Sequence, residues 1–311
     1  MSRPPIKRQR PRDVRHLPVL LDEVLHTLQL RPGQTVADCT VGLGGHASAM
    51  LQRILPNGRL IGIDFDPLNL ERARPRLAAV ADRFTLHHTN FAGIQAVLAA
   101  EGIDRVDALL ADVGVASTQI DDPARGFSYK ADGPLDMRMD PTRGKTAADL
   151  LNTMPEADLA AAFLSLGDET DAPQIARLIV QRRADTPFVT THQLMALVCE
   201  ARDFTLERAA GAKLHPAART FQALRILVNR ELANLDQLLR VLPQILAPDG
   251  IAAIISFHSG EDRRVKQAFR DGERTGTYAA IAPDPISATT DEITTNPRAR
   301  SAKLRWCRRS G

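Results

Sequence analysis

Apolar positions recur along this chain with two alternating periods, and that alternation predicts its architecture. Residues 17–30 carry apolar side chains at helical spacing and stop at Arg31-Pro32-Gly33, where proline and glycine end a helix. Residues 35–39 form a short apolar run, followed by a glycine-rich turn and helical spacing over 46–55. Pro56-Asn57-Gly58 reads as a turn. Short runs at 59–64, 84–88 and 106–113 predict three more strands, with Asp66-Pro67 opening a helix after the first of them. Strands alternating with helices at this pitch predict an α/β fold, a Rossmann-like doubly wound parallel sheet.

Past Asp112 the pattern changes. No strand is predicted from 116 to 216: the early part is loop-like in its Asp, Gly, Pro and Arg content, and helical spacing follows at 156–166, 172–183 and 191–201. One or two long helices over 217–246, a buried strand at 251–257, a helix at 261–270 and a last strand at 301–307 complete the chain. The economical division is a basic arm (1–15), one sheet-bearing domain (16–115 and 217–311) and a mainly helical insertion (116–216). The insertion is expected to read the substrate, and the rest to bind any cofactor on its own.

Composition narrows the setting. No apolar run approaches the roughly 20 residues that span a bilayer, and the start has no apolar core of a secretory signal. Cys39, Cys199 and Cys307 are far apart and lack metal-ligand spacing, so no metal site is expected and a reducing cytoplasm is the default. The net charge of +3 says little, but the charge is uneven. Arg3, Lys7, Arg8, Arg10, Arg12 and Arg15 crowd the start, and Arg298, Arg300, Lys303, Arg305, Arg308 and Arg309 crowd the end. Basic ends suit a polyanionic partner; they equally suit solvated termini.

The strongest local chemistry is DCTVGLGGHA at 38–47, between a strand and a helix. Gly42, Gly44 and Ala47 fit the G-x-G-x-x-G/A form, in which glycines allow a tight turn and close backbone approach to a ligand. Alone, it fits a dinucleotide site, a methyltransferase site or a plain turn. Asp64 ends the second strand about 20 residues on, where an acid accepts both ribose hydroxyls of an adenosine. Asp38, before the glycines, would repel a pyrophosphate and suits a cofactor with a free amino-acid group. The preference is therefore S-adenosylmethionine. Asn90 and Phe91 could flank an adenine, or Phe91 could be core. Asp112 ends the fourth strand, so three acids should converge at one sheet edge, where open α/β sheets bind ligands.

Read together, these residues resemble the small-subunit ribosomal RNA cytosine-N4 methyltransferases, the MraW family, over about 16–305. The likeness rests on HLPVLLDEV at 16–24, the glycine motif, DVGVASTQ at 112–119, RGFSY at 125–129, DGPLDMRMDP at 132–141, HPAARTFQALR at 215–225, SFHS at 256–259 with EDR at 261–263, and NPRARS at 296–301. It implies a class I methyltransferase fold with a helical insertion, and cofactor contacts at Gly44, Gly45, His46, Asp64, Phe91, Asp112 and Gln119. Asp112 and His258 are the catalytic candidates. Asp136, Arg138 and Arg219 are the candidates for contacting substrate, although Arg138 and Arg219 equally suit salt bridges within the chain. The implied partner is ribosomal RNA within the small subunit, with no membrane and room for a homodimer. Ala116, Thr118, Ala218 and Gly260 depart from the family pattern, where Ser, Pro, Thr and Leu are expected.

Three other readings share parts of this pattern. A DNA amino-methyltransferase would show prolines and an aromatic after Asp112, and Val113-Gly114-Val115 has none. A nicotinamide-dependent oxidoreductase shares the ribose-binding acid. A non-catalytic RNA-binding module has no need of a cofactor pocket. The cytosine amine is a poor nucleophile, so transfer to it rests on in-line positioning and a polar acceptor for the amine. The base must also leave its stack.

Overall fold

The fold is that of a computed structural model describing residues 17–212 and 214–311. The basic arm expected at 1–15 lies outside the described residues. The Val, Ile and Leu runs become strands covered on both faces, as parallel strands require. β1 (Thr35–Asp38), β2 (Arg59–Asp64), β3 (Phe84–His88), β4 (Val106–Asp112) and β5 (Leu246–Ser256) are parallel neighbours in the order β3-β2-β1-β4-β5. Side chains alternate between two cores, because successive residues of a strand face opposite ways. Ala37, Ile61, Ile63, Leu109 and Ala111 pack under the helices Ile94–Ala100 and Glu231–Ile245. Val36, Leu60, Ala108 and Leu110 pack under Leu21–Leu28, Gly45–Ile54 and Pro67–Ala78.

The sheet is not wholly parallel. β6 (Tyr278–Ile281) lies two places from β5, and β8 (Lys303–Arg309) fills the slot between them, antiparallel to both. β7 (Ile286–Ser287) is a short antiparallel partner of β8. β6, β7 and the helix Thr290–Thr295 carry too few apolar positions to register as periodic. They earn their place by docking on β8 and, through Glu292 and Asn296, on the N-terminal loop: the Leu20 N–H donates to Glu292 Oε1 (2.7 Å), and Asn296 Nδ2 donates to the Leu17 carbonyl (3.2 Å). That strap explains why the first helix starts at Leu21 rather than 17, after Leu20 takes a positive φ of 55°.

Between β4 and β5 the described residues hold helices and one isolated strand-like bridge, Pro134 to Thr190. A third core, with Leu151, Phe163, Ile175, Ile179 and Leu197, belongs to them. The helix Ala218–Asn229, which the sequence division groups with the sheet, buries Phe221 and Leu224 in this third core. The long helical stretch breaks at Arg230, φ 52°, and only Glu231–Ile245 turns to the sheet. No helix among the described residues is long and apolar enough to cross a membrane.

Candidate active site

The strand order reverses between β1 and β4, and a cleft of about 1300 Å³, counting its open mouth, lies at the carboxyl ends there. Asp64 ends β2 and is 8% exposed. Its Oδ2 accepts the Gly42 N–H (2.7 Å), and its Oδ1 accepts Asp66 N–H (2.8 Å) and Asn69 Nδ2 (3.2 Å). Burial pushes its pKa up to about 6 against these hydrogen bonds. The glycines divide their work. Gly42 lines the cleft and spends its N–H on Asp64. Gly44 (φ 76°) does not line it; a Cβ there would stand 3.2 Å from Ala73 Cβ, so this glycine lets two helices close. Gly45 lines the cleft, and a Cβ there would meet Pro18 at 2.5 Å.

Asp38 is fully buried behind the lining rather than in it. Its Oδ1 accepts the Thr40 N–H (3.0 Å), and its Oδ2 has no partner among the described residues. Burial pushes its pKa up to about 7. Asp112 does line the cleft, with a side chain 24% exposed. Its Oδ1 is without a hydrogen-bond partner among the described residues and its Oδ2 lies 3.9 Å from His46 Nδ1. Burial first, then the charges of Asp38 and Glu261, push its pKa up to about 8. His46 is buried, and burial pulls its pKa down to about 4. A neutral ring that donates from Nε2 to the Val19 carbonyl (2.9 Å) turns an unprotonated Nδ1 toward Asp112.

Phe91 and Asn90 line the same cleft, the Asn90 side chain accepting the Ala92 N–H (2.9 Å). Gln119 lines it too, but its amide is committed: Nε2 donates to Asp66 Oδ2 (2.8 Å) and Oε1 accepts the Ala116 N–H (2.8 Å). Asp66 also receives Arg125 (2.7 Å), whose other nitrogen donates to the carbonyls of Arg138 (2.9 Å) and Met139 (2.8 Å). Buried Asp66 thus ties the helical region to the end of β2. Thr118 Oγ1, at a position departing from the family pattern, is buried without a partner among the described residues.

The structure does not bring every candidate together. His258 is absent from the lining of this cleft. Phe257 faces it instead, because neighbouring residues leaving a strand point to opposite sides. The His258 ring lines a second, adjoining cleft, with Nε2 3.1 Å from Glu261 Oε1. Asp136 and Arg138 are spent on each other in a two-pronged pair (2.8 and 2.7 Å) and lie outside the lining. Arg219 donates to the Asp168 carbonyl (3.1 Å), also outside it.

Other lining residues are not among the site candidates read from the sequence: Pro18 and Val19, Phe65 and Asn69, and Asn229, Glu231, Asn234 and Glu261. The last group had a legible signal, since polar side chains inside an apolar helical stripe need partners. Glu231 is held by Arg225 (2.8 Å to each oxygen), and Glu261, 2% exposed, accepts the Phe257 N–H (2.9 Å).

Curated relatives run nearly the full length. This chain is 46% identical over 302 residues to the ribosomal RNA small subunit methyltransferase H of Sorangium cellulosum, covering 97% of this chain and 93% of that protein. It is 44% identical to the protein of the same name from Symbiobacterium thermophilum, covering 93% and 95%. The same name and identity recur in Acidobacterium capsulatum, covering 94% and 97%. The model of the MraW methylase family matches residues 13–310, and with a switch-point cleft edged by acids this places the chain in that family: it is a member of the MraW methylase family.

Proposed function

We propose that this chain is an S-adenosylmethionine-dependent methyltransferase acting on the N4 amine of a cytidine in small-subunit (16S) ribosomal RNA. The relatives' shared name supports the substrate class. The observation that carries the reading is Asp112 at the end of β4, which lines the cleft and whose Oδ1 is buried without a hydrogen-bond partner among the described residues. Unpaired buried carboxylate oxygens fit a ligand that brings positive charge or N–H donors, and oppose a pyrophosphate. When bound, S-adenosylmethionine supplies a methyl group already activated by its sulfonium.

The residues then divide the task. Asp64 accepts the ribose hydroxyls, while Asn90 and Phe91 flank the adenine. Gly42, Leu43, Gly45 and His46 border the amino-acid end, with Asp38 buried behind them. Asp112 holds either the target amine or the cofactor ammonium by its free oxygen, and a carboxylate facing a cytosine amine is a matched acceptor. His258, turned into the other cleft, carries no step. RNA as part of the small subunit, in the cytoplasm, is the substrate form that this reading favours.

The test is direct. Purified protein, isotopically labelled S-adenosylmethionine and small-subunit particles from a strain lacking this gene are combined, and the RNA is digested to nucleosides. Labelled N4-methylcytidine is the expected product by mass spectrometry. Label in a ring-carbon methylcytidine or a methyladenosine would reject the assigned amine.

A further inference from the structure

Six basic residues near the C-terminus invite a polyanion, yet the fold uses five of them internally. Arg298 pairs with Asp121 (2.6 Å), and Lys303 and Arg305 share Asp262 (3.1 and 2.6 Å). Arg308 reaches Gln29 (3.5 Å), and Arg309 donates to the Pro243 carbonyl. Arg300 is exposed and has no carboxylate within ion-pair distance among the described residues. It opens onto the second cleft, whose other walls include His258, Ser259, Ser287, Ser301 and Lys303. Hydroxyls and cations line this cleft, and among the described residues no carboxylate does. Gly260 keeps it in shape: a Cβ there would stand 3.1 Å from His258 Nδ1, so the imidazole can lie against the chain at that point.

The position of the cleft matters as much as its chemistry. Phe257 is a wall of both clefts, so one aromatic side chain separates this basic recess from the space into which Asp112 faces. Base and backbone of a nucleotide are joined through a sugar, so a base in the first cleft carries its phosphodiester to an adjoining surface. A guanidinium fork with serine hydroxyls is matched to phosphate oxygens.

We infer that the cleft walled by Arg300, Ser301, Ser287 and His258 seats a backbone phosphate of the RNA strand whose base enters the cofactor cleft. This rests on the RNA-methylating reading above. The test compares Arg300→Ala and Arg300→Lys in the full chain, with cofactor affinity by calorimetry as the check on folding. Binding of a fluorescent, single-stranded, cytidine-containing oligoribonucleotide is followed by anisotropy across a salt series. Methylation of small-subunit particles supplies KM and kcat.

Arg300→Ala should raise KM for RNA about tenfold with a much smaller effect on kcat, and should flatten the slope of log K against log salt by about 0.7, the value for one phosphate on a single strand. Arg300→Lys should restore the slope with only part of the affinity, because a lysine keeps the charge and loses the fork. A slope unchanged in Arg300→Ala overturns the phosphate seat, even if affinity falls. Wild-type protein that binds the oligoribonucleotide yet methylates no RNA would defeat the functional reading, and the slope comparison would still decide the seat.

Discussion

Asp112 sits where two demands meet. In the proposed function its carboxylate faces the transferred methyl, and it is held close to two other acids, Asp38 and Glu261, whose charges oppose its ionisation. Its folded-state pKa of about 8 lies above the unfolded value near 3.9. The folded chain therefore holds a proton that the unfolded chain has lost, and stability declines as pH rises between those values. Asp38, at about 7, acts in the same direction. His46, pulled down to about 4, acts oppositely, but only below its unfolded value near 6.5. Between pH 6.5 and 8 the ligand-free protein should therefore lose Tm, by on the order of a few °C, and Asp112→Asn should lose less. Equal pH profiles in scanning calorimetry would show that Asp112 ionises normally. The same variant should lower single-turnover methylation at saturating cofactor by about 10²-fold, as for removal of one positioned polar group. A near-normal rate would leave Asp112 as a cofactor contact only.

At the scale of elements, the loop carrying Met137 to Met139 is clamped from two sides. Arg125 holds the Arg138 and Met139 carbonyls, and Asn229 donates to the Met137 carbonyl (2.8 Å) and accepts the Met139 N–H (2.8 Å). Met137 has a φ of 62°, a strained value for a residue with a side chain, so the loop is held rather than relaxed. Asn229→Ala strands both backbone groups. It should reduce unfolding free energy by about 1–3 kcal/mol and weaken cofactor binding several-fold, since Met139 lines the cleft. Denaturant melts and calorimetry read the two effects, and a variant unchanged in both would mean the clamp is idle. Asn229 was legible only as one polar residue in a helical stripe. Its two partners lie about 90 residues away, beyond any local pattern.

For the whole molecule, the sequence division suggests that residues 116–216 could be lifted out with cofactor binding left intact. The contacts argue otherwise. Ala116, Ser117, Gln119 and Met139 line the switch-point cleft, and Arg125 and Gln119 satisfy buried Asp66 beside Asp64. The helix Ala218–Asn229 would also lose the core that buries Phe221 and Leu224. Replacing 116–216 with a short linker is expected to cost about tenfold or more in S-adenosylmethionine affinity, the loss of two charge-assisted hydrogen bonds at Asp66 being sufficient. Unaltered affinity in a folded protein would restore the modular picture.

The sequence by itself determined the strands β1 to β5, the glycine turn and the three acids that end strands. These are local: apolar runs must be buried, and a residue at a strand's carboxyl end has nowhere else to go in a doubly wound sheet. It could not determine which of those acids would be left unpaired, since that depends on donors brought from other segments: Gly42 and Asn69 reach Asp64, but among the described residues nothing reaches Asp112 Oδ1. Nor could it tell which basic residues near the C-terminus stay free. Six cations look alike in sequence, and only the antiparallel placement of β8 beside Asp262, Gln29 and Pro243, with Asp121 brought to Arg298, separates those with partners from Arg300. Charge is a property of a residue, but its availability is decided by which surfaces the fold brings against it.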